Sequence, residues 1–275
     1  MATKGRPFYK LSGSGNDFVF VDVRINHAPE LETPATIAAI CARGTGVGAD
    51  GIVFLDTAQG ATLGIRYLNS DGSLAELCGN ATLCAARMAR ELGLIPGDAE
   101  FSIRTDSGVV QARFRGSEPE IDLQPVTEVQ DCFEVELERG EHRIGFARVG
   151  VPHLVVLCDA IEDAPVIERG RKLRGHPGLR DGANVNFVSK VADRWRIRTY
   201  ERGVEDETLA CGTGAVATGL LLTAWGEADA STVELQTKSG RTLRVRHRAE
   251  GNRLFPSLSG EARIVFAGQL GELPT

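Results

Sequence analysis

The sequence lacks an apolar run long enough to cross a membrane. A membrane-spanning helix needs roughly 20 consecutive apolar residues, and no stretch of this chain approaches that length. Residues 1–10 also lack the apolar core of a secretory signal peptide. These absences predict a cytoplasmic protein that has no membrane partner.

Runs of lysine and arginine are missing as well. The chain has 31 basic and 37 acidic residues, for a formal net charge of −6, and its basic residues are scattered. Proteins that follow a phosphate backbone concentrate their positive charge on one face or in one segment. The charge pattern therefore predicts no nucleic-acid partner.

Histidine is scarce, and no two cysteines form a CxxC pair. The chain has five histidines and six irregularly spaced cysteines. Structural zinc sites use closely spaced pairs of cysteine and histidine ligands, so no metal site is predicted. In a reducing cytoplasm most cysteines are buried apolar thiols. A cysteine with a chemical role must therefore be identified from its local sequence.

Predicted strands outnumber predicted helices in this sequence. Stretches rich in β-branched and aromatic residues predict strands at residues 18–22, 51–55, 63–68, 107–114, 153–157, 184–189, 194–200, 233–238 and 263–266. Helices are fewer, and capping and stop signals predict them over residues 33–42, 80–92, 161–170 and 214–224.

The second and fourth predicted helices carry small residues on almost every side, which is typical of a buried helix. One lies in each half of the chain. We therefore expect an α+β fold of two pseudo-symmetric lobes, each a mixed, mostly antiparallel sheet wrapped around a central helix, with the active site in the cleft between them. The N-terminal lobe is predicted over residues 1–122, with residues 262–275 returning to it, and the C-terminal lobe over residues 123–261.

An internal repeat places a cysteine at the start of each of these two helices. In both halves a strand containing Ile-Arg is followed by a polar loop and then by a Cys-Gly step, at Cys78 and at Cys211. The two cysteines are about half the chain length apart. One Cys-Gly step is simply explained as a core residue at a helix start. Two steps in equivalent places of a repeat favour a chemical role.

The start of a helix suits both carboxylate binding and proton transfer by a thiol. Its unpaired N–H groups and partial positive charge bind anions and favour the thiolate form of cysteine. Inverting a stereocentre requires a base on one face of the carbon and an acid on the other. Two such cysteines facing one carbon would form a two-base racemase, and the helix ends would stabilise charge on the substrate carboxylate.

At these positions the chain closely resembles the diaminopimelate epimerase family over almost its whole length. The matching motifs are Ser12-Gly13-Ser14-Gly15-Asn16-Asp17-Phe18, Gly46 to Gly51, Asn69 to Gly72, Cys78-Gly79-Asn80, Pro152-His153, Asn184 to Phe187, Tyr200 to Gly203 and Ala210 to Gly214. That family interconverts LL- and meso-diaminopimelate, a step in lysine and cell-wall precursor synthesis, without pyridoxal phosphate or metal. The resemblance implies a small-molecule substrate, no cofactor and a homodimer.

The resemblance also implies roles for individual residues. Cys78 and Cys211 would exchange the proton, and His153 and Glu201 would tune them, with Glu201 also binding the α-ammonium group. The remaining substrate contacts divide into two sets. The reacting carboxylate would be held by the backbone of Gly79, Asn80, Gly212 and Thr213, and the distal end by Asn16, Asn69, Asn184 and Arg202.

Two positions near the predicted distal site depart from some members of the family. Val151 stands where some members have asparagine, and Gly51 stands where some have glutamine. The distal contact could therefore be absent or supplied by another residue. Leu83 also replaces a common arginine in the Cys-Gly-Asn motif. None of these changes touches the two cysteines.

Three other interpretations remain open. A proline-racemase-like enzyme would share both the fold and the two cysteines, whereas a phenazine-synthesis-like isomerase would use other acid–base residues. A non-catalytic amino-acid-binding protein would not need a thiol at both equivalent positions.

The stretch from Gly46 to Gly51 matches the letters of a dinucleotide-binding loop, but a strand is predicted after it, where that motif requires a helix.

Overall fold

A computed structural model of the chain describes residues 4–74, 78–97, 99–229 and 231–273. They divide into two compact units. The first comprises the described residues up to Ile121 together with those from Glu261 onward, and the second comprises Asp122–Gly260.

The first unit contains eight strands and two α-helices within its described residues. In chain order they are β1 (Pro7–Gly13), β2 (Asn16–Asp22), α1 (Pro34–Cys41), β3 (Gly51–Asp56), β4 (Leu63–Asn69), α2 (Gly79–Glu91), β5 (Phe101–Thr105), β6 (Gly108–Arg115), β7 (Glu118–Asp122) and, at the far end of the chain, β17 (Ala262–Gln269). A short 3-10 turn, Pro29–Leu31, precedes α1.

The second unit has nine strands and two α-helices in its described part. They are β8 (Val129–Gln130), β9 (Glu141–Val149), β10 (Val151–Cys158), α3 (Val166–Arg174), β11 (Asn184–Val191), β12 (Arg194–Glu201), β13 (Asp206–Thr208), α4 (Gly212–Ala224), β14 (Val233–Gln236), β15 (Thr242–Glu250) and β16 (Arg253–Gly260).

Both units follow the same order of strand pairings. In the first, β17, β1 and β2 pair antiparallel, β2 and β3 parallel, β3 and β4 antiparallel, β4 and β5 parallel, and β5, β6 and β7 antiparallel. In the second, β8, β9 and β10 pair antiparallel, β10 and β11 parallel, β11 and β12 antiparallel, β12 and β14 parallel, and β14, β15 and β16 antiparallel. Strand β13 lies outside this shared order and forms a short antiparallel hairpin with β12. The predicted α+β fold with a mixed, mostly antiparallel sheet in each half is confirmed.

In each unit one helix lies inside the sheet and connects two parallel strands. Helix α2 connects β4 to β5, and α4 lies between β12 and β14. Helix α2 follows β4 and contacts β1, β2, β4 and β17, while α4 contacts six strands of its own unit. Ten of the 13 residues of α2 and 11 of the 13 residues of α4 are buried, so neither helix has a broad solvent-facing side. Small residues on every side allow this close packing, and the predicted central helices are confirmed.

The other two helices pack on the outside of their sheets. Residues of α1 join an apolar cluster with β2 and β3, and residues of α3 join one with β9, β10 and β11. The sequence predicts helix over residues 161–170, but α3 spans Val166–Arg174. Pro165 occupies its N-cap position, and the preceding turn is held by the Arg198 side chain, which donates to the carbonyl groups of Ile161 and Ala164.

No helix in the described part of the chain is long and apolar enough to cross a membrane.

Candidate active site

Cys78 is the N-cap residue of α2. Its backbone is extended, with φ −121° and ψ 108°, and its Sγ accepts a hydrogen bond of 3.5 Å from the Ala81 N–H. The Cys78 carbonyl accepts from both the backbone N–H and the hydroxyl of Thr82, each at 3.0 Å. The thiol is therefore held directly at the start of the helix, beside the N–H groups of Gly79 and Asn80, which an α-helix leaves without partners of its own.

Cys211 has the same position in the second unit. It is the N-cap of α4 with φ −134° and ψ 111°, and its carbonyl accepts from the Ala215 N–H at 2.9 Å. Its Sγ lies 3.6 Å from the hydroxyl of Thr213. Similar backbone conformations at equivalent helix starts are what a duplicated catalytic group would require.

Burial raises the thiol pKa of the buried cysteines outside these helix starts. Burial raises the pKa of both Cys41 and Cys158 to about 11, and it raises the pKa of the fully buried Cys84 well above its usual value. These three groups stay protonated at neutral pH and suit packing rather than proton transfer.

Asn16 and Asn80 lie together in the first unit. The Asn80 side-chain nitrogen donates to Asn16 Oδ1 at 2.6 Å, and the Asn16 nitrogen donates to the carboxylate of Asp50 at 3.0 Å. Asn80 Oδ1 is buried and has no hydrogen-bond partner among the described residues. The family resemblance implies that the Asn80 backbone contacts the reacting carboxylate and that Asn16 contacts the distal end. In the structure the side chains of these two residues are hydrogen-bonded to each other.

Charged residues anchor the turn that carries Asn16. Asp17 contacts Arg43 and Lys10, each at 2.7 Å. Burial alone would raise the pKa of the Asp17 carboxyl group, but hydrogen bonds from Arg43 and Lys10 hold the pKa below its usual value. Asp17 therefore stays ionised and fixes the strand pair β1–β2 next to Asn16. No separate sequence signal predicted these contacts.

Asn69 ends β4, where it is paired with Gly51 of β3. Its side-chain nitrogen donates to the Ser73 hydroxyl at 3.0 Å, and its backbone N–H donates to the Ser73 carbonyl at 2.9 Å. Asn69 thus closes the turn after β4. Residues 75–77, the last part of the predicted polar loop before Cys78, lie outside the described residues.

Gly51 is surrounded too closely to carry a side chain. A Cβ atom there would lie 2.5 Å from the Leu68 carbonyl oxygen, 2.5 Å from Tyr67 Cε2 and 2.9 Å from the Tyr67 hydroxyl. The Tyr67 side chain thus occupies the space that a longer residue at position 51 would need. This packing gives a physical reason for glycine where some family members have glutamine.

We expect Gly51→Ala to lower the free energy of unfolding by roughly 1–3 kcal/mol, because a backbone oxygen and a ring must both move. The measurement is urea denaturation followed by circular dichroism. Gly271→Ala is the matched control, since no atom lies within 4 Å of its added Cβ. Equal stability of the two variants would contradict this account of Gly51.

Asn184 and Arg202 lie together in the second unit. Asn184 Oδ1 accepts from the Arg202 backbone N–H at 2.8 Å, and Arg202 Nη1 donates to the Asp181 carbonyl at 2.9 Å. Glu201 precedes Arg202 at the end of β12, where it is half-buried and paired with Asp206 of β13. The β12–β13 hairpin therefore carries Glu201, predicted to bind the ammonium group, and Arg202, one of the residues predicted to bind the distal end.

His153 is fully buried in β10, directly across from Asn184 of the parallel strand β11. Burial, with a smaller contribution from the nearby positive charge of Arg202, lowers the pKa of His153 to about 3. The imidazole is therefore neutral at physiological pH. Its Nε2 has no hydrogen-bond partner among the described residues, and its Nδ1 lies 3.3 Å from the side-chain nitrogen of Asn186.

Asn186 is a site neighbour that sequence reasoning missed, although it lies inside the quoted motif from Asn184 to Phe187. Side chains alternate along a strand, so Asn184 and Asn186 lie on the same face of β11. This alternation is the sequence signal that could have identified Asn186.

Val151, the other departure from the family pattern, is half-buried at the start of β10, paired with Val149.

Other sequence features have structural roles. The segment from Gly46 to Gly51 leads into strand β3, so it lacks the helix of a dinucleotide-binding loop. Within the described ranges no cluster of three or more histidine, cysteine, aspartate or glutamate side chains could hold a metal ion. The triplet Glu168-Arg169-Gly170 is helical in α3, and Arg169 is fully buried.

Comparisons with known proteins identify relatives that match almost the whole chain. A family model described as "Diaminopimelate epimerase" matches residues 8–127 and 145–265. A diaminopimelate epimerase of Gemmatimonas aurantiaca is 43% identical over 97% of this chain and 99% of its own length. One from Aquifex aeolicus is 37% identical over 96% and 98% of the two chains.

Solved structures share the fold at low sequence identity. A phenazine biosynthesis protein of the PhzF family from Bacillus anthracis matches with a TM-score of 0.74 at 16% identity, covering 97% of this chain and 99% of that one. A hydroxyproline epimerase from Agrobacterium vitis matches with a TM-score of 0.70 at 17% identity, covering 99% and 94%. At such identities the likeness concerns the fold.

Proposed function

The chain belongs to the diaminopimelate epimerase family, and from this membership we propose that it interconverts LL- and meso-diaminopimelate by a two-base thiol mechanism. One structural observation carries the mechanism. Cys78 and Cys211 cap the central helices of two units that share one order of strand pairings, so the same catalytic group occurs twice.

The reaction moves one proton off the α-carbon and another onto it. The thiolate of one cysteine removes the α-proton, and the electron pair of the broken C–H bond remains on a planar carbanion beside the carboxylate. The thiol of the other cysteine then delivers its proton to the opposite face, which inverts the configuration. The reverse reaction exchanges the two roles, so neither cysteine acts only as acid or only as base.

The helix starts supply the electrostatic part of the proposal. Backbone N–H groups of Gly79, Asn80, Gly212 and Thr213 would bind the reacting carboxylate, where negative charge grows as the proton leaves. Both helices are buried in their sheets, and this packing orients the donors before the substrate arrives. The family reaction uses no pyridoxal phosphate or metal, and this charge stabilisation would take the place of a cofactor.

The distal end of the substrate would contact Asn16, Asn69, Asn184 and Arg202. Arg202 suits a carboxylate because its guanidinium group offers five N–H donors in a planar fork, and Asp181 engages one of its nitrogens. Glu201, beside it, would bind the α-ammonium group and with His153 tune the thiols. Recognition of a second amino-acid end separates this proposal from a proline-type racemase, which would share the fold and the thiols.

Solvent hydrogen exchange tests the proposed reaction directly. Purified protein in D₂O with reductant and no added cofactor should convert LL-diaminopimelate to the meso form, with deuterium entering at the inverted α-carbon. Proton NMR and chiral chromatography give the two readouts. Proline and trans-4-hydroxyproline are the matched comparison substrates. Exchange on them and none on diaminopimelate would replace this proposal by the proline-type alternative.

We also propose a homodimer in the cytoplasm, in line with the family resemblance. Light scattering on the purified chain at micromolar concentration should give about twice the 29.5 kDa chain mass. A value equal to the chain mass would remove the dimer from the proposal.

A further inference from the structure

Asn186 makes three hydrogen bonds that determine the orientation of its amide group. Its side-chain nitrogen lies 3.0 Å from the Leu154 carbonyl oxygen and 3.3 Å from His153 Nδ1, and its Oδ1 accepts from the Thr199 hydroxyl at 2.9 Å. A backbone carbonyl can only accept, so the nitrogen must face Leu154. The second hydrogen of that nitrogen then points to His153.

This orientation selects one tautomer of His153. Because Asn186 donates to Nδ1, that ring nitrogen must be the acceptor, and the single ring proton resides on Nε2. The fully buried ring is neutral, as its low pKa of about 3 also indicates. His153 therefore presents a buried N–H donor at Nε2, for which the described residues supply no acceptor.

The same amide packs against the start of α4. A Cβ atom on Gly214 would lie 2.2 Å from Asn186 Oδ1 and 3.2 Å from Cys211 Sγ. Both atoms therefore occupy one side of Gly214, in the first turn of the helix that Cys211 caps. Asn186 thus contacts the turn that carries a proposed catalytic thiol as well as the histidine proposed to tune the thiols.

We propose that Asn186 is a positioning residue of the epimerase, which holds His153 as the Nε2–H tautomer and sets the first turn of α4 beside Cys211. This inference rests on the proposed function. A buried donor without an acceptor destabilises a fold, and an anion that accepts from His153 Nε2 during the reaction would offset that cost. That anion is a substrate carboxylate or a cysteine thiolate, and either needs a donor rather than an acceptor at Nε2.

Asn186→Asp tests the tautomer with almost no change in size. A carboxylate can only accept, so His153 Nδ1 would have to carry a proton, and Nε2 would lose its own or the ring would become charged. In protein labelled with ¹⁵N-histidine, the wild type should show a ring protonated only at Nε2, and the variant should not. We expect kcat to fall by roughly 100-fold, as for loss of an oriented donor.

Thr199→Val is the matched control, because it removes the third hydrogen bond of Asn186 and leaves the donation to His153. It should keep the Nε2–H signal and lose less than about tenfold in kcat. A larger effect on KM than on kcat in Asn186→Asp would identify the substrate carboxylate as the anion, and the reverse would identify the thiolate. An unchanged tautomer, or unchanged kinetics with a changed tautomer, would overturn the proposal.

Gly214→Ala gives a second perturbation that leaves the amide itself intact. Its methyl group would displace Asn186, so Gly214→Ala should lower kcat in the wild-type background and much less in an Asn186→Ala background. Additive effects would refute the packing part of the proposal. The NMR readout needs no substrate, so a wild-type chain without epimerase activity would overturn the proposed function while leaving the tautomer result to be judged separately.

Discussion

Replacing either Cys78 or Cys211 with alanine should lower kcat for epimerisation of diaminopimelate by roughly 10³–10⁴-fold, near the upper end of what general acid–base groups contribute. Each variant keeps one thiol, which reaches only one face of the α-carbon. Inversion requires both faces, so the remaining thiol cannot compensate. The measurement is the initial rate in both directions, with circular dichroism to establish that each variant is folded.

Serine variants separate the two half-reactions. A hydroxyl group is a poor base but can still carry a proton, so Cys78→Ser and Cys211→Ser should each retain more α-proton exchange with one stereoisomer than with the other. The preferred stereoisomer should differ between the two variants. Cys132→Ala is the matched control, because Cys132 is exposed and lies at neither helix start. Turnover above one tenth of wild type in either alanine variant would exclude the two-base mechanism.

The largest expected effect on stability is at Arg169. Replacing it with alanine should lower the free energy of unfolding by about 3–5 kcal/mol, because its removal leaves the largely buried Glu141 carboxylate without a counter-charge. The guanidinium group is buried and binds the Glu141 carboxylate through two nitrogens, at 2.8 and 2.7 Å. It also donates to Glu138 at 2.9 Å and to the Glu136 carbonyl at 2.8 Å.

Lys172→Ala is the matched control for Arg169. Lys172 contacts the same Glu138 at 2.8 Å, but its side chain is 70% exposed. Exposed ion pairs contribute about 0–1 kcal/mol, so this variant should unfold almost as the wild type does. Urea denaturation of both variants gives the comparison. A loss below about 1 kcal/mol for Arg169→Ala would show that the cluster does not stabilise α3 against its sheet.

The central helices and many strands could be predicted from the sequence because their signals are local. Small residues on all sides of residues 80–92 and 214–224 predicted buried helices, and the observed α2 and α4 differ from them by one or two residues at their boundaries. The Cys-Gly steps marked both helix starts, since a helix N-terminus has its own short sequence pattern. The repeat then made the pair recognisable as a catalytic candidate.

Helix α3 shows where local patterns were insufficient. Its start was predicted at residue 161, but Arg198, distant in sequence, holds Ile161 and Ala164 in a turn, and Pro165 occupies the cap. The burial of Arg169 was missed for the same reason. Its acidic partners Glu138 and Glu141 come from another part of the chain, and periodicity along one helix contains no information about them.

The sequence by itself determined which two thiols stand at helix starts and which family motifs surround them, because capping and repeats depend on residues that are neighbours along the chain. Tertiary structure alone decided what those residues contact. Strand register brought Asn186 beside His153 and left a single ring proton on Nε2, and close packing put Tyr67 where a side chain at Gly51 would lie. Hydrogen-bond partners and excluded volume arise only when distant segments meet.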